Sequence, residues 1–391
     1  MFKLSLILLI VVLAACGEAP PPTSPAVDTP RAASTSQDQR ESIDDLVESS
    51  RAQHNQPAMA AAVVRGGEII ALAELGERSI STGEGIERGD RWNLGGVTTS
   101  IMATAIAKLV ERGQVSWESR IVDVFPDLAG KILPEYEVVT VRDLLSHRAG
   151  LLPFTSGSGQ VEIDINKSLA GDAREKRFQF VEKVLNQPPV HAPGTTFEYS
   201  NAGYTIVAAM AEKILDKPLE DVLEELVFQP LSMESGVVSM PATVERPDNT
   251  WGHHPIRDQL IAVPPSPTMT LPEILEPSNG VSCSIEDLAK FAGANLRALR
   301  GEEVEGIDAA QLRELHEIVI DRTAMGWFRQ EIFGEMCHFN RGSSGLFYCW
   351  VMIWPGKDLA VVTTSNAGNG EEACRGLAEA LFRKFATDEH R

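Results

Sequence analysis

Hydroxyl and phenol side chains are the groups in this 391-residue chain that could attack or activate a carbonyl compound. A hydroxyl is an effective nucleophile only when a neighbouring base takes its proton or its own pKa is lowered. Thr98, Thr99 and Ser100 supply three adjacent hydroxyls, and Tyr199 supplies a phenol that could serve as their base. An unperturbed phenol has a pKa of about 10, so it is a weak base at neutral pH. These residues predict a hydrolytic site that is poorly activated.

The three hydroxyls lie in residues 91–113, which have the apolar spacing of an amphipathic helix. One stripe of this helix holds Ile101, Met102, Ala105, Ile106, Leu109 and Val110. An ordinary core helix would account for this pattern. Its flanking residues, however, suggest a more specific origin.

The run resembles the nucleophile segment of the serine beta-lactamase and penicillin-binding-protein family, in which a Ser-x-x-Lys motif opens a buried helix. In that family the Ser lies at the positive end of the helix and the Lys one turn later on the same face. Gly96 stands at the Ser position here, and Thr99 at the Lys position. Lys108 cannot replace the missing amine, because it lies about 18 Å further along a helix that rises ~1.5 Å per residue.

The second family motif, Tyr-x-Asn, is intact within residues 193–204 as Tyr199 and Asn201. The resemblance implies that Tyr199 corresponds to a proton-shuttling phenol and Asn201 to an amide that faces the substrate. Between the first two motifs, Thr140 and Asp143 have the spacing of a helix capping box. His147 follows them, and we interpret it as a structural residue rather than a base.

The third family motif, Lys- or His-x-Gly on a strand beside the cleft, corresponds to residues 339–345. Asn340 stands at the position of the cation or imidazole, and Gly342 is kept. Strand alternation should point Arg341 to the opposite face. His338 shares the face of Asn340 but lies one strand step further along, so only a bulge could bring it into the site.

The resemblance covers residues 43–385 and implies an α+β fold with a five-stranded antiparallel sheet. Helices near the two ends of the chain, residues 43–54 and 371–385, are expected to flank one face of the sheet. Strands are predicted at residues 59–64 and 68–72, with three more between 337 and 363. The middle of the chain, residues 115–275, predicts a mostly helical second lobe, with the cleft between this lobe and the sheet.

The N-terminus predicts a lipoprotein. An apolar run too short to span a membrane leads to Leu13-Ala14-Ala15-Cys16, which resembles a bacterial lipobox. Residues 1–16 would be a signal peptide, with Cys16 lipidated and anchored in the membrane. Residues 17–40 are rich in Pro, Ser, Thr and Ala and predict a disordered tether before the domain at 41–386. Gly17 is not the acidic residue associated with inner-membrane retention, so the outer membrane, on its periplasmic side, is expected.

Composition excludes some partners. Asp and Glu outnumber Lys and Arg by 55 to 35, a net charge of −20, so nucleic acid is a poor partner. No cofactor or metal motif is found: the pair His253-His254 lacks further ligands, and His316-Glu317 lacks the second His of a zinc-protease helix. Cys337 and Cys349 are nearly symmetric about Ser343, so a hairpin turning there could bridge them, although buried thiols are an equal alternative.

Three functions remain open at this stage. The chain is expected to be a cell-envelope lipoprotein of this family that has lost catalysis but keeps some binding in the cleft, with a peptidoglycan-like or acyl-peptide compound as the candidate ligand. Alternatively, it is an esterase, carboxypeptidase or beta-lactamase with a non-standard nucleophile. The third possibility is a structural lipoprotein with a closed cleft that docks an unknown protein partner.

Overall fold

The structure, a computed structural model, describes residues 41–155, 159–257, 259–267 and 271–386. The predicted signal peptide, Cys16 and the predicted tether therefore lie outside the described residues. Among the described residues, no helix is both long and apolar enough to span a bilayer.

The described residues form twelve strands in three sheets. They are β1 Ala58–Arg65, β2 Glu68–Ser79, β3 Glu84–Gly85, β4 Arg91–Asn93, β5 Val237–Val238, β6 Gly252–Ile256, β7 Gln259–Val263, β8 Val281–Ser284, β9 Phe328–Ile332, β10 Glu335–Ser343, β11 Tyr348–Trp354 and β12 Leu359–Ser365. The main sheet has the order β3-β2-β1-β12-β11-β10-β9, and every neighbouring pair is antiparallel.

The five predicted strands form the centre of this sheet, so the expected fold is confirmed. The β1–β2 hairpin turns at Gly66 and Gly67, which both have positive φ, as the tightest two-residue hairpin turn requires. The short strands β3 and β9 extend the sheet beyond the five expected strands. β3 spans only two residues and β9 only five, which gives little periodicity for a sequence to display.

Twelve α-helices surround the sheets in the described part of the chain. They are α1 Asp44–Gln53, α2 Thr98–Glu111, α3 Ile121–Val124, α4 Val141–Leu145, α5 Gln160–Ser168, α6 Ala173–Val184, α7 Asn201–Leu215, α8 Leu219–Leu223, α9 Glu276–Asn279, α10 Ile285–Leu299, α11 Ala309–Glu314 and α12 Glu371–Ala386.

Helices α1 and α12 pack together on one face of the main sheet, as expected. Helix α10 packs against β1 and β12 from the opposite face, where the larger hydrophobic core lies. Helix α2 belongs to this core and is buried on all sides from Thr98 to Ala107, rather than along one stripe. Small side chains, among them Ala103 and Ala107, let neighbouring helices approach its remaining faces.

The second lobe is built mainly from α3 to α8, but it is less purely helical than expected. Two small sheets lie outside the main one, β4-β8-β5 and the β6–β7 hairpin. The predicted capping box opens α4: Thr140 Oγ1 accepts a bond from Asp143 N, and the Asp143 carboxylate accepts the amide of Thr140. This pairing satisfies amides that the first turn of a helix leaves open.

Of the two alternatives for Cys337 and Cys349, the structure shows buried free thiols and not a cross-strand bridge. The β10–β11 turn is centred beyond Ser343, so Cys349 pairs with Gly342 while Cys337 pairs with Gln330 of β9. The two thiols also belong to the hydrophobic cores on opposite faces of the sheet. Both are free and buried, and burial raises their pKa well above the usual range for a thiol.

Candidate functional site

The start of α2 is positioned by a tight turn after β4. Asn93 Oδ1 accepts the amide of Gly95, and Asn93 Nδ2 donates to the carbonyls of Asn279 and Val281. Gly95 has a φ of +49°, and a Cβ there would lie 2.8 Å from the carbonyl carbon of Ser343. Only glycine meets both conditions. The turn therefore places residue 96 directly against the end of β10.

Gly96 lies where a nucleophile would stand. A Cβ built on Gly96 would lie 3.1 Å from the carbonyl oxygen of Arg341, 3.2 Å from Gly342 Cα and 3.7 Å from Tyr199 Oη. A side chain at this position would thus point toward the phenol, but it would crowd the backbone of β10. Gly342 packs directly against Gly96, since a Cβ built on Gly342 would lie 2.2 Å from Gly96 N.

Thr99 and Asn340 contact each other next to Gly96. Asn340 Nδ2 lies 2.8 Å from Thr99 Oγ1, 2.6 Å from Ser100 Oγ and 2.9 Å from the carbonyl oxygen of Gly326. Thr99 Oγ1 donates to Gly96 O at 2.8 Å, and Ser100 Oγ donates to Gly326 O at 2.7 Å. We call these contacts the Thr99–Asn340 network. It carries no formal charge, and Thr99 and Asn340 are only 3% and 2% exposed.

Tyr199 is stacked on His147, with ring centroids 4.3 Å apart. Burial alone raises the pKa of Tyr199 to about 12, and no charged group contributes to this shift. Burial also lowers the pKa of His147 to about 4, and its Nδ1 accepts the amide of Ser200 at 3.1 Å. Both rings are therefore neutral near pH 7, and Tyr199 keeps its proton.

Asn201 is the first residue of α7 and is 5% exposed. Its Nδ2 donates to the carbonyl of Phe154 at 2.9 Å, and its backbone amide donates to the carbonyl of Pro153 at 2.8 Å. Its Oδ1 is buried and has no partner among the described residues. Asn201 therefore anchors the loop before α5 and retains one open acceptor.

The structure thus brings Gly96, Thr99, Tyr199, Asn340 and Gly342 together around the start of α2. Neither of the two basic residues beside the third motif joins them. Arg341 points to the opposite face of the sheet, where it pairs with Glu371 and stacks over Trp350. His338 contacts His316, with Nδ1 atoms 3.2 Å apart, and forms no bulge toward Gly96.

Ser100 and Gly326 complete the network, and no sequence motif predicts this role for either residue. Gly326 contributes a backbone carbonyl from a loop far from α2 in the chain, which no side-chain motif reveals. It has a φ of +79°, and a Cβ there would lie 2.9 Å from Ala103 Cβ, so a glycine is required. Within the described residues, no group of three or more His, Cys, Asp or Glu side chains could hold a metal ion.

Replacing Asn340 with Ala is expected to lower the free energy of unfolding by about 1–3 kcal/mol, because it removes the shared donor of a buried network. Chemical denaturation measures this loss. Asn186→Ala is a matched control, since Asn186 is exposed and bonds only backbone carbonyls. It should change stability by no more than about 0.5 kcal/mol. Equal losses of unfolding free energy in the two variants would show that the Thr99–Asn340 network does not stabilise the protein.

Comparison with known proteins agrees with the fold described above. Residues 43–382 match the beta-lactamase family model. Penicillin-binding protein 4 of Amycolatopsis lactamdurans is 25% identical over 86% of this chain and 87% of that protein. Esterase EstB of Burkholderia gladioli is 29% identical over 46% of each chain. The octameric penicillin-binding protein homologue from Pyrococcus abyssi superposes with a TM-score of 0.70 at 21% identity, over 88% of this chain and 78% of that one.

Proposed function

Because the chain belongs to the beta-lactamase family, we propose that it is a member that has lost acyl-transfer catalysis and is held in the cell envelope by a lipid on Cys16. The Thr99–Asn340 network is the observation that carries the catalytic half of this proposal. Two positions where the family places cationic or imidazole groups here hold a hydroxyl and an amide that bond each other. The arrangement satisfies both side chains without any charge.

The absence of a Ser at position 96 makes the absence of a Lys at position 99 energetically favourable. A Lys beside a missing Ser would be a buried charge without a partner, which is costly. Thr99 costs only a few tenths of a kcal/mol in helix propensity relative to Lys. Gly96 is tolerated in the tight turn before α2. The fold can therefore persist without its chemistry.

The alternative nucleophiles have no base. Thr99 and Ser100 direct their hydroxyl protons at backbone carbonyls and receive the Asn340 amide on the oxygen. Thr98 is fully buried, and its Oγ1 accepts the amide of Val281. Tyr199 would have to lose a proton with a pKa of about 12 before it could act as a base. These contacts argue against an esterase, carboxypeptidase or beta-lactamase that uses one of these hydroxyls.

Turnover assays test the loss of catalysis. Purified residues 17–391 should hydrolyse a chromogenic cephalosporin and a p-nitrophenyl ester no faster than buffer. Ser100→Ala and Tyr199→Phe should leave the rates unchanged. A rate above buffer that either variant abolishes would contradict the proposal and name a working residue.

The envelope half of the proposal rests on Cys16 and the apolar run before it. We expect the lipid to hold the protein at the outer membrane, facing the periplasm. Full-length protein from a bacterial host should partition into detergent, and Cys16→Ala should abolish this partitioning. Partitioning that survives the substitution, with the signal uncleaved, would indicate a plain membrane anchor instead.

A second candidate function is non-covalent binding, favoured by the open Oδ1 of Asn201 beside an intact Tyr-x-Asn motif. A protonated Tyr199 could donate to a ligand, and Asn201 Oδ1, which is buried, would accept from that ligand once the residues covering it move aside. A muropeptide or acyl-peptide should then raise the melting temperature of the wild type, and less so for Asn201→Ala. No shift in either protein would favour a closed cleft and a role in docking a protein partner.

A further inference from the structure

A cavity lies in the second lobe, between α9 and the segment that follows β5. It has a volume of about 240 Å³ and is lined by residues of the segment 238–245 other than Pro241, by Ser266, Pro267 and Leu271, and by Glu276 and Gly280. Its walls are mainly apolar, formed by Val238, Met240, Ala242, Val244, Pro267 and Leu271. None of the positions matched to the family motifs contributes to its lining. The cavity is therefore not formed by the motif residues of the candidate catalytic site.

Glu276 supplies one of the two carboxylates on the cavity wall. Its Oε2 accepts a hydrogen bond from Arg177 Nη1 at 3.0 Å, and its Oε1 has no hydrogen-bond partner among the described residues. Arg177 is fully buried and is also bound by Glu212 and by the carbonyl of Glu273. The guanidinium thus holds one oxygen of Glu276 and leaves the other open on an apolar cavity.

The charges on the wall favour a cationic ligand. Glu276 and Glu245 line the cavity, and no Lys or Arg belongs to the lining that the structure describes. Burial raises the pKa of Glu276 to about 7, an effect that nearby Glu220 and Glu273 increase and Arg177 opposes. The Glu276 carboxylate is therefore poorly solvated. A hydrogen-bond donor on a ligand would take the place of the water that burial has removed from this carboxylate.

We propose that this cavity binds a small apolar amine, whose ammonium donates to Glu276 Oε1 while its hydrocarbon part packs on Val238, Met240 and Leu271. A charge-assisted bond to a carboxylate is about twice as strong as a neutral one, so the ammonium supplies the specificity. The volume is sufficient, because a protein cavity of about 150 Å³ holds benzene. The proposal does not depend on the loss of catalysis or on the lipid anchor.

Titration calorimetry with benzylamine, benzyl alcohol and benzoate tests the proposal. At about pH 8 the amine should bind about tenfold more tightly than the alcohol, and benzoate should not bind. The advantage of the amine should be lost at about pH 5.5, where Glu276 is mostly protonated while the ammonium stays charged. Equal binding of the amine and the alcohol at pH 8, or no binding of either, would overturn the proposal.

Three variants localise the site. Glu276→Gln should remove the preference for the amine and keep alcohol binding. Glu273→Gln is the matched control at pH 8. Glu273 does not line the cavity, and loss of its charge lowers the pKa of Glu276, so Glu276 stays ionised and the preference should remain intact. Ala242→Leu places extra methyl groups in the cavity and should weaken both ligands by about tenfold or more. Should Glu276→Gln fail to fold, unchanged binding in Ala242→Leu would still overturn the proposal.

Discussion

Replacing Arg177 with Met is expected to lower the free energy of unfolding by about 3–5 kcal/mol. Arg177 and Glu212 are both fully buried and form a bidentate pair, with bonds of 2.9 and 2.7 Å between α6 and α7. Without the guanidinium, Glu212 would remain in the core as a charge with no partner. The loss comes mainly from that orphaned carboxylate, so it is measurable by chemical denaturation at neutral pH.

The double variant Arg177→Met with Glu212→Leu should recover part of the lost stability, because it removes the buried charge of Glu212 but leaves Glu276 without its guanidinium partner. Arg112→Met is the control for a pair at the surface, since Arg112 and Glu225 are each about one-third exposed. It should cost only about 0–1 kcal/mol. A small loss in Arg177→Met, or no recovery in the double variant, would refute this interpretation of the pair.

Gly342→Ala is expected to destabilise the protein by about 3 kcal/mol, at the upper end of the usual cost of overpacking. The added Cβ would lie 2.2 Å from Gly96 N and 2.4 Å from Gly96 Cα, so backbone rather than a flexible side chain must move. Either β10 or the turn that opens α2 would have to shift. Thermal and chemical denaturation measure this loss.

Gly376→Ala is the matched control for this substitution. Gly376 lies within α12, and a Cβ there would have no neighbour within 4 Å. Alanine is favoured over glycine inside a helix by about 1 kcal/mol, so this variant should be slightly more stable than the wild type. Equal stability of Gly342→Ala and the wild type would show that the contact between Gly96 and β10 is looser than described.

The motif positions could be located from the sequence because each motif lies in a local segment with its own pattern. Two motif spacings are short-range features that the sequence displays directly. They are Tyr199-x-Asn201 and Asn340-x-Gly342. The resemblance then ordered these segments into one fold, and the structure agrees with that fold. The same reasoning placed Arg341 on the outer face, since alternation along a strand is a local property.

Long-range features could not be predicted in the same way. The partners of Asn340 include Ser100 and the backbone carbonyl of Gly326, which only the tertiary fold brings near β10. The β10–β11 turn lies beyond Ser343, because residues near Ser343 offer several places to turn. The symmetry of two cysteines about one residue does not fix register, which depends on the turn and on packing of both sheet faces.

Mass spectrometry of the intact protein after exposure to benzylpenicillin is the most direct test of the central claim, that the site has no usable nucleophile. The mass of the wild type should stay unchanged, even after long incubation with excess reagent, because Gly96 has no side chain and the hydroxyls of Thr98, Thr99 and Ser100 are held by other bonds. A stoichiometric increase equal to the mass of one penicillin, mapped by peptide analysis to any of these residues, would contradict it.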